Sequence, residues 1–127
     1  MNYLLPALVV DDFKSSASIA ARILNEIGFT KVETVETGAE ALEKAQSKRY
    51  GLIVSDLHMK PMSGTELIWH LKSSARTRSV PTIVLTGDPL DSSCTAAKQA
   101  GAVSVLLKPP SPGALRALLQ EAIRELD

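Results

Sequence analysis

The segment that most constrains the fold is the apolar run at residues 51–56, which reads Gly-Leu-Ile-Val-Ser-Asp and so ends in the carboxylate of Asp56. An uninterrupted apolar run of this length, bounded by turn-forming residues, is typical of a fully buried parallel strand. The carboxyl ends of the strands form the ligand-binding edge of an open α/β sheet. We therefore expect Asp56 to lie at that edge, accessible to partners and outside the core.

The rest of the chain alternates between strand-like and helix-like segments. Residues 4–10, 51–56, 81–85 and 103–107 are short apolar runs, whereas residues 31–36 alternate polar and apolar side chains, as a half-exposed edge strand does. The segments between and after them carry apolar residues at helical spacing. Five strands alternating with five helices predict a doubly wound (βα)5 fold, an α/β architecture with a parallel sheet in the order 2-1-3-4-5.

Local signals mark the ends of the predicted helices. The first helix is expected over residues 14–27, where Gly28 follows its last apolar residue. Residues 37–40 and 63–66 both have the capping-box pattern of a hydroxyl residue followed three positions later by glutamate. Ser111 followed by Pro112 predicts the start of the last helix.

Composition narrows the class of protein. The 127 residues are enough for one domain with its own core, and we expect a single domain over residues 1–127 with no output domain after it. Fourteen basic and fourteen acidic residues cancel, so the chain lacks the broad basic field typical of nucleic-acid binding. No apolar stretch reaches the length of a membrane span or has the form of a signal peptide. The single cysteine, Cys94, is consistent with a reducing cytoplasm.

Polar residues follow four of the predicted strands. Asp11 and Asp12 follow the first, Asp56 ends the third, Thr86 follows the fourth and Lys108 follows the fifth. Three carboxylates brought together raise one another's pKa or require a cation, and oxygen ligands suit Mg²⁺. A lysine and a hydroxyl can neutralise and orient a phosphoryl group, and an aspartate can accept one covalently.

Each of these residues also has an ordinary structural explanation. Asp12 is a suitable cap for the first helix, Asp56 a suitable turn residue, and Lys108 before two prolines a suitable loop residue. These explanations do not account for the position of all of the residues at one edge of the sheet. We therefore interpret the set as a phosphoacceptor site.

The chain resembles the CheY-like receiver domains of two-component response regulators over essentially its whole length. Several separate motifs carry the resemblance. They are Asp11-Asp12 after strand one, Asp56 with Gly64 downstream, Thr86-Gly87 after strand four and Lys108-Pro109 after strand five.

The resemblance implies roles for these residues. Asp56 would accept a phosphoryl group from a histidine kinase or a histidine phosphotransfer protein, and Thr86 and Lys108 would contact that group. The Lys108-Pro109 peptide bond would be cis.

The resemblance also implies a magnesium site. Mg²⁺ would be held by Asp12, Asp56 and the backbone carbonyl of His58, with Asp11 assisting.

The family further implies a cytoplasmic signalling protein, not an enzyme acting on other molecules, although hydrolysis of its own aspartyl phosphate is compatible with this role. A downstream protein would bind the face formed by helix four, strand five and helix five. The sequence leaves open the cognate kinase, the target and whether the domain forms a homodimer.

Two positions differ from the usual family pattern. Val105 stands three residues before the strand-five lysine, where the family usually has tyrosine or phenylalanine, so we expect any switching to use backbone or helix shifts. Lys60 stands where proline is common, with Pro61 one position later.

His58 and Asp88 lie beside the expected phosphoryl position, and we predict that they set the lifetime of the phosphate.

Alternative functions remain open at this point. Val105 favours a receiver-like interaction module whose partners ignore phosphate. A Mg²⁺-dependent phosphohydrolase of the haloacid-dehalogenase type would have aspartate at the position of His58, and a flavodoxin-like flavin carrier would have a glycine- and hydroxyl-rich loop after strand one. We expect His70 on the surface of helix three, Trp69 partly exposed beside the buried stripe of that helix, and no zinc site.

Overall fold

The computed structural model describes residues 2–88, 92–109 and 111–126. It contains a five-stranded parallel sheet in the order β2-β1-β3-β4-β5, which confirms the predicted fold class and strand order. The strands are β1 (Ala7–Val10), β2 (Val32–Val35), β3 (Leu52–Asp56), β4 (Thr82–Thr86) and β5 (Ser104–Leu107). The helices are α1 (Lys14–Ile27), α2 (Gly38–Ser47), α3 (Gly64–Lys72), α4 (Ser93–Ala100) and α5 (Pro112–Glu125).

The helices cover both faces of the sheet. Val9 and Val54 pack with α1 and α5 on one face, whereas Leu8 and Ile53 pack with α2 and α3 on the other. Burial on both faces explains why β3 is apolar at successive positions and not at alternate ones. The strand order therefore places β1 and β3 side by side at the centre, where their carboxyl ends meet.

The first strand is shorter than predicted. It begins at Ala7, because the preceding residues form a turn in which the Leu5 amide donates to the Asn2 carbonyl at 3.3 Å and the Leu4 amide donates to the Asn2 side chain at 3.1 Å. Pro6 has no amide proton to donate to a sheet. The prediction that strand one starts at residue 4 is therefore wrong, and Leu4 is exposed.

The helix ends follow the predicted signals with one difference. The Ser63 hydroxyl and the Glu66 side chain form a complete capping box at α3, and the Ser111 hydroxyl accepts from the amide of Ala114 at α5. At α2 the Thr37 hydroxyl accepts from the Glu40 amide at 3.2 Å, as predicted. The Glu40 carboxylate, however, accepts from the Thr37 hydroxyl and not from the Thr37 backbone amide. The capping box of α2 is therefore only half formed.

The position of the cis peptide bond was predicted wrongly. Among the described residues the cis bond is Lys60–Pro61, in the loop after β3, and Lys108–Pro109 is trans. The trans preference of an X–Pro bond is only about 0.5–1 kcal/mol, so the surrounding loop decides which bond is cis. Within the part of the chain that the structure describes, no helix is both long and apolar enough to cross a membrane.

Candidate functional site

The three predicted carboxylates meet at the carboxyl edge of the sheet. Val10 at the end of β1 is paired in register with Ser55, so Asp11 and Asp56 follow at the same level on neighbouring strands. One carboxylate oxygen each from Asp11, Asp12 and Asp56 lies within 4.8 Å of the other two. Asp11 is buried, Asp56 is half-buried and Asp12 is exposed, so the cluster is open to solvent on one side.

Lys108, the residue that follows β5, also contacts this cluster. Its Nζ atom lies 3.1 Å from Oδ1 of Asp56 and 3.5 Å from Oδ2 of Asp11. Its backbone amide donates to the Thr86 carbonyl at 2.7 Å, which fixes the start of the β5–α5 loop beside β4. One ammonium therefore bridges two of the three carboxylates.

The electrostatics of Asp56 favour a cation at this position. Burial raises the pKa of its carboxyl above the ordinary value, the charges of Asp11 and Asp12 raise it further, and Lys108 opposes them. Three carboxylates facing one ammonium leave the cluster with an excess of negative charge. Hard oxygen donors with an open side suit Mg²⁺, which usually keeps several waters, so the donor set fits this ion.

The loop after β1 fixes the orientation of Asp11. Its Oδ1 atom accepts from the backbone amide of Phe13 at 3.0 Å, while Oδ2 faces Lys108. The residue at the N-cap of α1 is Phe13, so Asp12 does not cap this helix. The ordinary explanation of Asp12 as a helix cap is therefore wrong, and its carboxylate faces the cluster.

The loop after β3 turns back tightly against Asp56. A Cβ atom on Gly64 would lie 2.5 Å from the Asp56 carbonyl oxygen, and the Gly64 amide donates to the Leu57 carbonyl at 2.8 Å. Met62 in the same loop lies against Gly38, where an added Cβ would come within 2.6 Å of its sulfur. His58 lies in the turn two residues after Asp56, with its side chain exposed.

Thr86 lies at the same edge, but its hydroxyl contacts another partner. It accepts from the Asp88 amide at 3.2 Å and lies 3.4 Å from the Asp88 carbonyl oxygen. Among the described residues the hydroxyl makes no hydrogen bond to Asp56 or Lys108. The structure therefore brings Asp11, Asp12, Asp56 and Lys108 together, and it directs Thr86 toward the β4–α4 loop.

A groove beside Thr86 was missed in the sequence. It has a volume of about 270 Å³ and lies between α4 and β5, lined by Thr86, Cys94, Val105 and Leu107 among others. Cys94 is half-buried there, and its sulfur lies 3.6 Å from the Asp88 carbonyl oxygen. The spacing of Cys94 three residues before the buried Ala97 indicated an inward position, and Val105 lines the groove from β5.

The surface predictions for α3 are confirmed. Trp69 and His70 are exposed, with their rings packed edge to face at a centroid distance of 5.1 Å. Among the described residues, the group of acidic, histidine and cysteine side chains close enough to hold a metal is the one formed by Asp11, Asp12 and Asp56.

Comparison with known sequences places the chain among signalling domains. The family model of the response regulator receiver domain matches residues 7–120. Chemotaxis protein CheY-3 of Vibrio cholerae is 24% identical over 126 residues, which cover 99% of this chain and 97% of the relative. Chemotaxis protein CheY of Pseudomonas aeruginosa is 25% identical over 120 residues, which cover 94% of this chain and 97% of the relative.

Solved structures show the same similarity. The chemotaxis response regulator CheY4 of Vibrio cholerae has a TM-score of 0.83 and 32% identity, covering 94% of this chain and 98% of that chain. The receiver domain of the sensor histidine kinase PA1611 from Pseudomonas aeruginosa, with a magnesium ion coordinated in its active-site cleft, has a TM-score of 0.80 and 27% identity, covering 94% and 98%. With its acidic cluster and bridging lysine at the carboxyl edge of a 2-1-3-4-5 sheet, this chain belongs to the response regulator receiver domain family.

Proposed function

We propose that the chain stores a signal as a phosphoryl group on Asp56, received from a histidine kinase or a histidine phosphotransfer protein. The observation that carries this proposal is the position of Lys108, whose ammonium contacts both Asp56 and Asp11 within a cluster of three carboxylates. An ammonium held this close to the acceptor can neutralise a phosphoryl group as it arrives. The receiver family, to which the chain belongs, supports the same role.

The proposed transfer is a simple displacement. A carboxylate oxygen of Asp56 attacks phosphorus, a phosphorus–oxygen bond forms, and the bond from phosphorus to the donor's imidazole nitrogen breaks with its electron pair going to that nitrogen. Lys108 moves its contact from the Asp56 carboxylate to the phosphoryl oxygens. The Thr86 hydroxyl, which now contacts Asp88, can rotate to donate to the same oxygens.

Asp11, Asp12, Asp56 and the backbone carbonyl of His58 are the groups that we propose to hold Mg²⁺. When bound, Mg²⁺ supplies charge neutralisation and orients phosphoryl oxygens. The magnesium ion in the active-site cleft of the PA1611 receiver domain supports this assignment. The Phe13 amide, which donates to Asp11, orients that carboxylate in the cluster.

The output of the proposed switch is a change in protein contacts. We assign it to the face formed by α4, β5 and α5, because Thr86 connects the phosphoryl position to the β4–α4 loop through Asp88. The chain then acts as a cytoplasmic signalling protein and not as an enzyme on other molecules, and slow loss of phosphate from Asp56 resets it.

The experiment is phosphoryl uptake from acetyl phosphate, followed by intact-protein mass spectrometry with and without Mg²⁺. We expect a single Mg²⁺-dependent phosphoryl adduct on the wild-type protein and none on Asp56→Asn. The matched control is Glu43→Gln on the exposed side of α2, which removes one carboxylate away from the cluster and should take up phosphate normally. A folded wild-type protein that shows no adduct contradicts the proposal.

A second candidate is an interaction module that works without phosphate. The groove beside Val105 favours it, because the ring that usually occupies this region in the family is missing. The two candidates differ in one measurement, since only the switch predicts that phosphorylation changes partner affinity.

A further inference from the structure

A groove lined by two arginines lies at the edge of the sheet opposite Asp56. It has a volume of about 350 Å³ and is formed by segments that precede β1, β3 and β4. Arg49 and Arg76 line it, both exposed to solvent. We call it the arginine groove. It is independent of the phosphoacceptor chemistry, because none of its residues belongs to the acidic cluster.

Arg49 and Arg76 supply the two guanidinium groups of the arginine groove. Over residues 2–88, 92–109 and 111–126, neither Arg49 nor Arg76 forms an ion pair or donates a side-chain hydrogen bond. This contrasts with Arg116, which pairs with Glu26, and with Arg22, which lies 4.0 Å from the same glutamate. Two guanidinium groups beside one groove, with no partner among the described residues, can bind a phosphate or a carboxylate through paired hydrogen bonds.

The backbone that carries Arg76 is held in place. The Thr77 hydroxyl donates to the Leu71 carbonyl at 2.6 Å, and the Lys72 ammonium donates to the Arg78 carbonyl at 2.8 Å. These contacts attach the α3–β4 connection to the end of α3. Arg76 therefore projects from an ordered turn, which lowers the entropic cost of binding an anion.

The opposite wall depends on a glycine. A Cβ atom on Gly51 would lie 2.8 Å from the Asn2 carbonyl oxygen and 3.3 Å from Cβ of Leu5. The absence of a side chain at position 51 lets the turn at residues 2–5 lie close to the start of β3. There the Gly51 amide donates to the carbonyl oxygen of Pro6 at 2.8 Å.

The apolar residues of the arginine groove favour a ligand that has an organic part beside its anionic group. Leu5, Pro81 and Leu126 contribute apolar surface to the same groove. A volume of this size is in the range of small-molecule sites. We propose that the arginine groove binds an organic phosphate about the size of a nucleoside monophosphate, with Arg49 and Arg76 on its phosphate and the apolar surface under its organic part.

Titration with adenosine monophosphate by isothermal titration calorimetry, in EDTA, tests this proposal. We expect saturable one-to-one binding that weakens by at least about tenfold in Arg49→Gln and in Arg76→Gln, because each loses a charged hydrogen-bond donor. The matched control Arg22→Gln removes an arginine from the surface of α1 and should leave affinity unchanged. Asp56→Asn should also bind normally, which separates the groove from the phosphoacceptor site.

Further probes separate the ligand classes. Inorganic phosphate and adenosine should each bind more weakly than adenosine monophosphate, because each supplies only part of the ligand. No saturation at millimolar nucleotide, or wild-type affinity in both arginine variants, overturns the proposal. Arginine-dependent binding of a hexaglutamate peptide without binding of the nucleotide also overturns it, and assigns the groove to an acidic protein segment.

Discussion

The ammonium of Lys108 lies 3.1 Å from the carboxylate of Asp56, and it is the cation that offsets the acidic cluster. Replacing Lys108 by methionine keeps most of the side-chain volume and removes the charge. We expect phosphoryl uptake to slow by roughly a hundredfold or more, the cost of losing one well-placed donor to a developing charge. Mg²⁺ should bind more tightly, since a repelling charge is gone.

The two effects are measured separately, uptake by mass spectrometry and Mg²⁺ affinity by calorimetry. Lys14→Met is the matched control, because Lys14 is exposed and pairs with Glu36 at 3.5 Å. Normal uptake in Lys108→Met would contradict the role of Lys108.

Asp56→Asn should stabilise the protein at neutral pH. Because the pKa of Asp56 is raised by folding, chiefly through burial, the folded state binds more protons than the unfolded state between the two pKa values. The stability of the wild-type protein therefore falls as pH rises through this range. The variant escapes this loss, so its melting temperature should exceed that of the wild type at pH 7.

The higher melting temperature of Asp56→Asn should disappear at about pH 3, below the ordinary pKa range of carboxyl groups. At that pH Asp56 of the wild type is protonated in both the folded and the unfolded state. Thermal unfolding followed by circular dichroism at both pH values measures the effect. Glu43→Gln serves as the control and should change little. A gain in Asp56→Asn of equal size at both pH values would point to packing and not to charge.

Gly64→Ala should destabilise the fold. Its Cβ would lie 2.5 Å from the Asp56 carbonyl oxygen, and the atoms that must move are backbone atoms. We expect a loss of about 1–3 kcal/mol in the free energy of unfolding, typical of overpacking. Urea denaturation measures it.

Gly113→Ala is the matched control, since a Cβ there meets no atom within 4 Å and the residue lies in the first turn of α5. It should have little effect or a small stabilising one. Equal stability of the two variants would contradict this expectation and show that the β3–α3 loop can shift to accommodate a Cβ atom at little cost in free energy.

Val105→Phe should be tolerated, because Val105 lines an open groove. Its register partner on β4, Val84, is fully buried, so Val84→Phe adds the same atoms where no space exists. We expect a change of less than about 1 kcal/mol in the free energy of unfolding for Val105→Phe, against a loss of about 1–3 kcal/mol or more for Val84→Phe. Similar losses in both variants would mean that the groove closes in solution.

His58 and Asp88 should set the lifetime of the phosphate. His58 is exposed two residues after Asp56, and the backbone of Asp88 contacts the Thr86 hydroxyl. We expect the rate of phosphate loss to change in His58→Asn and in Asp88→Ala, measured by the decay of the mass-spectrometric adduct after the donor is removed. His70→Asn, on the exposed face of α3, is the control. Unchanged decay in both site variants would remove the idea.

The sequence was sufficient for the fold because its central strands are buried on both faces. The run at residues 52–55 is typical of a central strand, and this places Asp56 at the end of that strand. Asp11 followed from the pairing of β1 with β3. These predictions depend on periodicity and on the handedness of α/β crossovers, which local sequence expresses strongly.

The side-chain details were not predictable in the same way. The hydroxyl of Thr86 accepts from the Asp88 amide two residues later, a local turn that threonine can form, and the resemblance to receiver domains did not indicate it. The start of β1 was misplaced because Pro6 ends the hydrogen-bond ladder that the apolar pattern suggested. The cis bond lies at Lys60–Pro61, and the residues around the chain's X–Pro bonds did not distinguish it from Lys108–Pro109.

The contact of Met62 with Gly38 links two positions that are far apart in sequence. Met62 belongs to the loop that follows the phosphoacceptor, and Gly38 begins the neighbouring helix α2. A larger residue at position 38 would collide with the methionine sulfur at 2.6 Å, so it is compatible only with a smaller or displaced residue at position 62. Mutations at these two positions should therefore be epistatic, and exchange of one should permit exchange of the other.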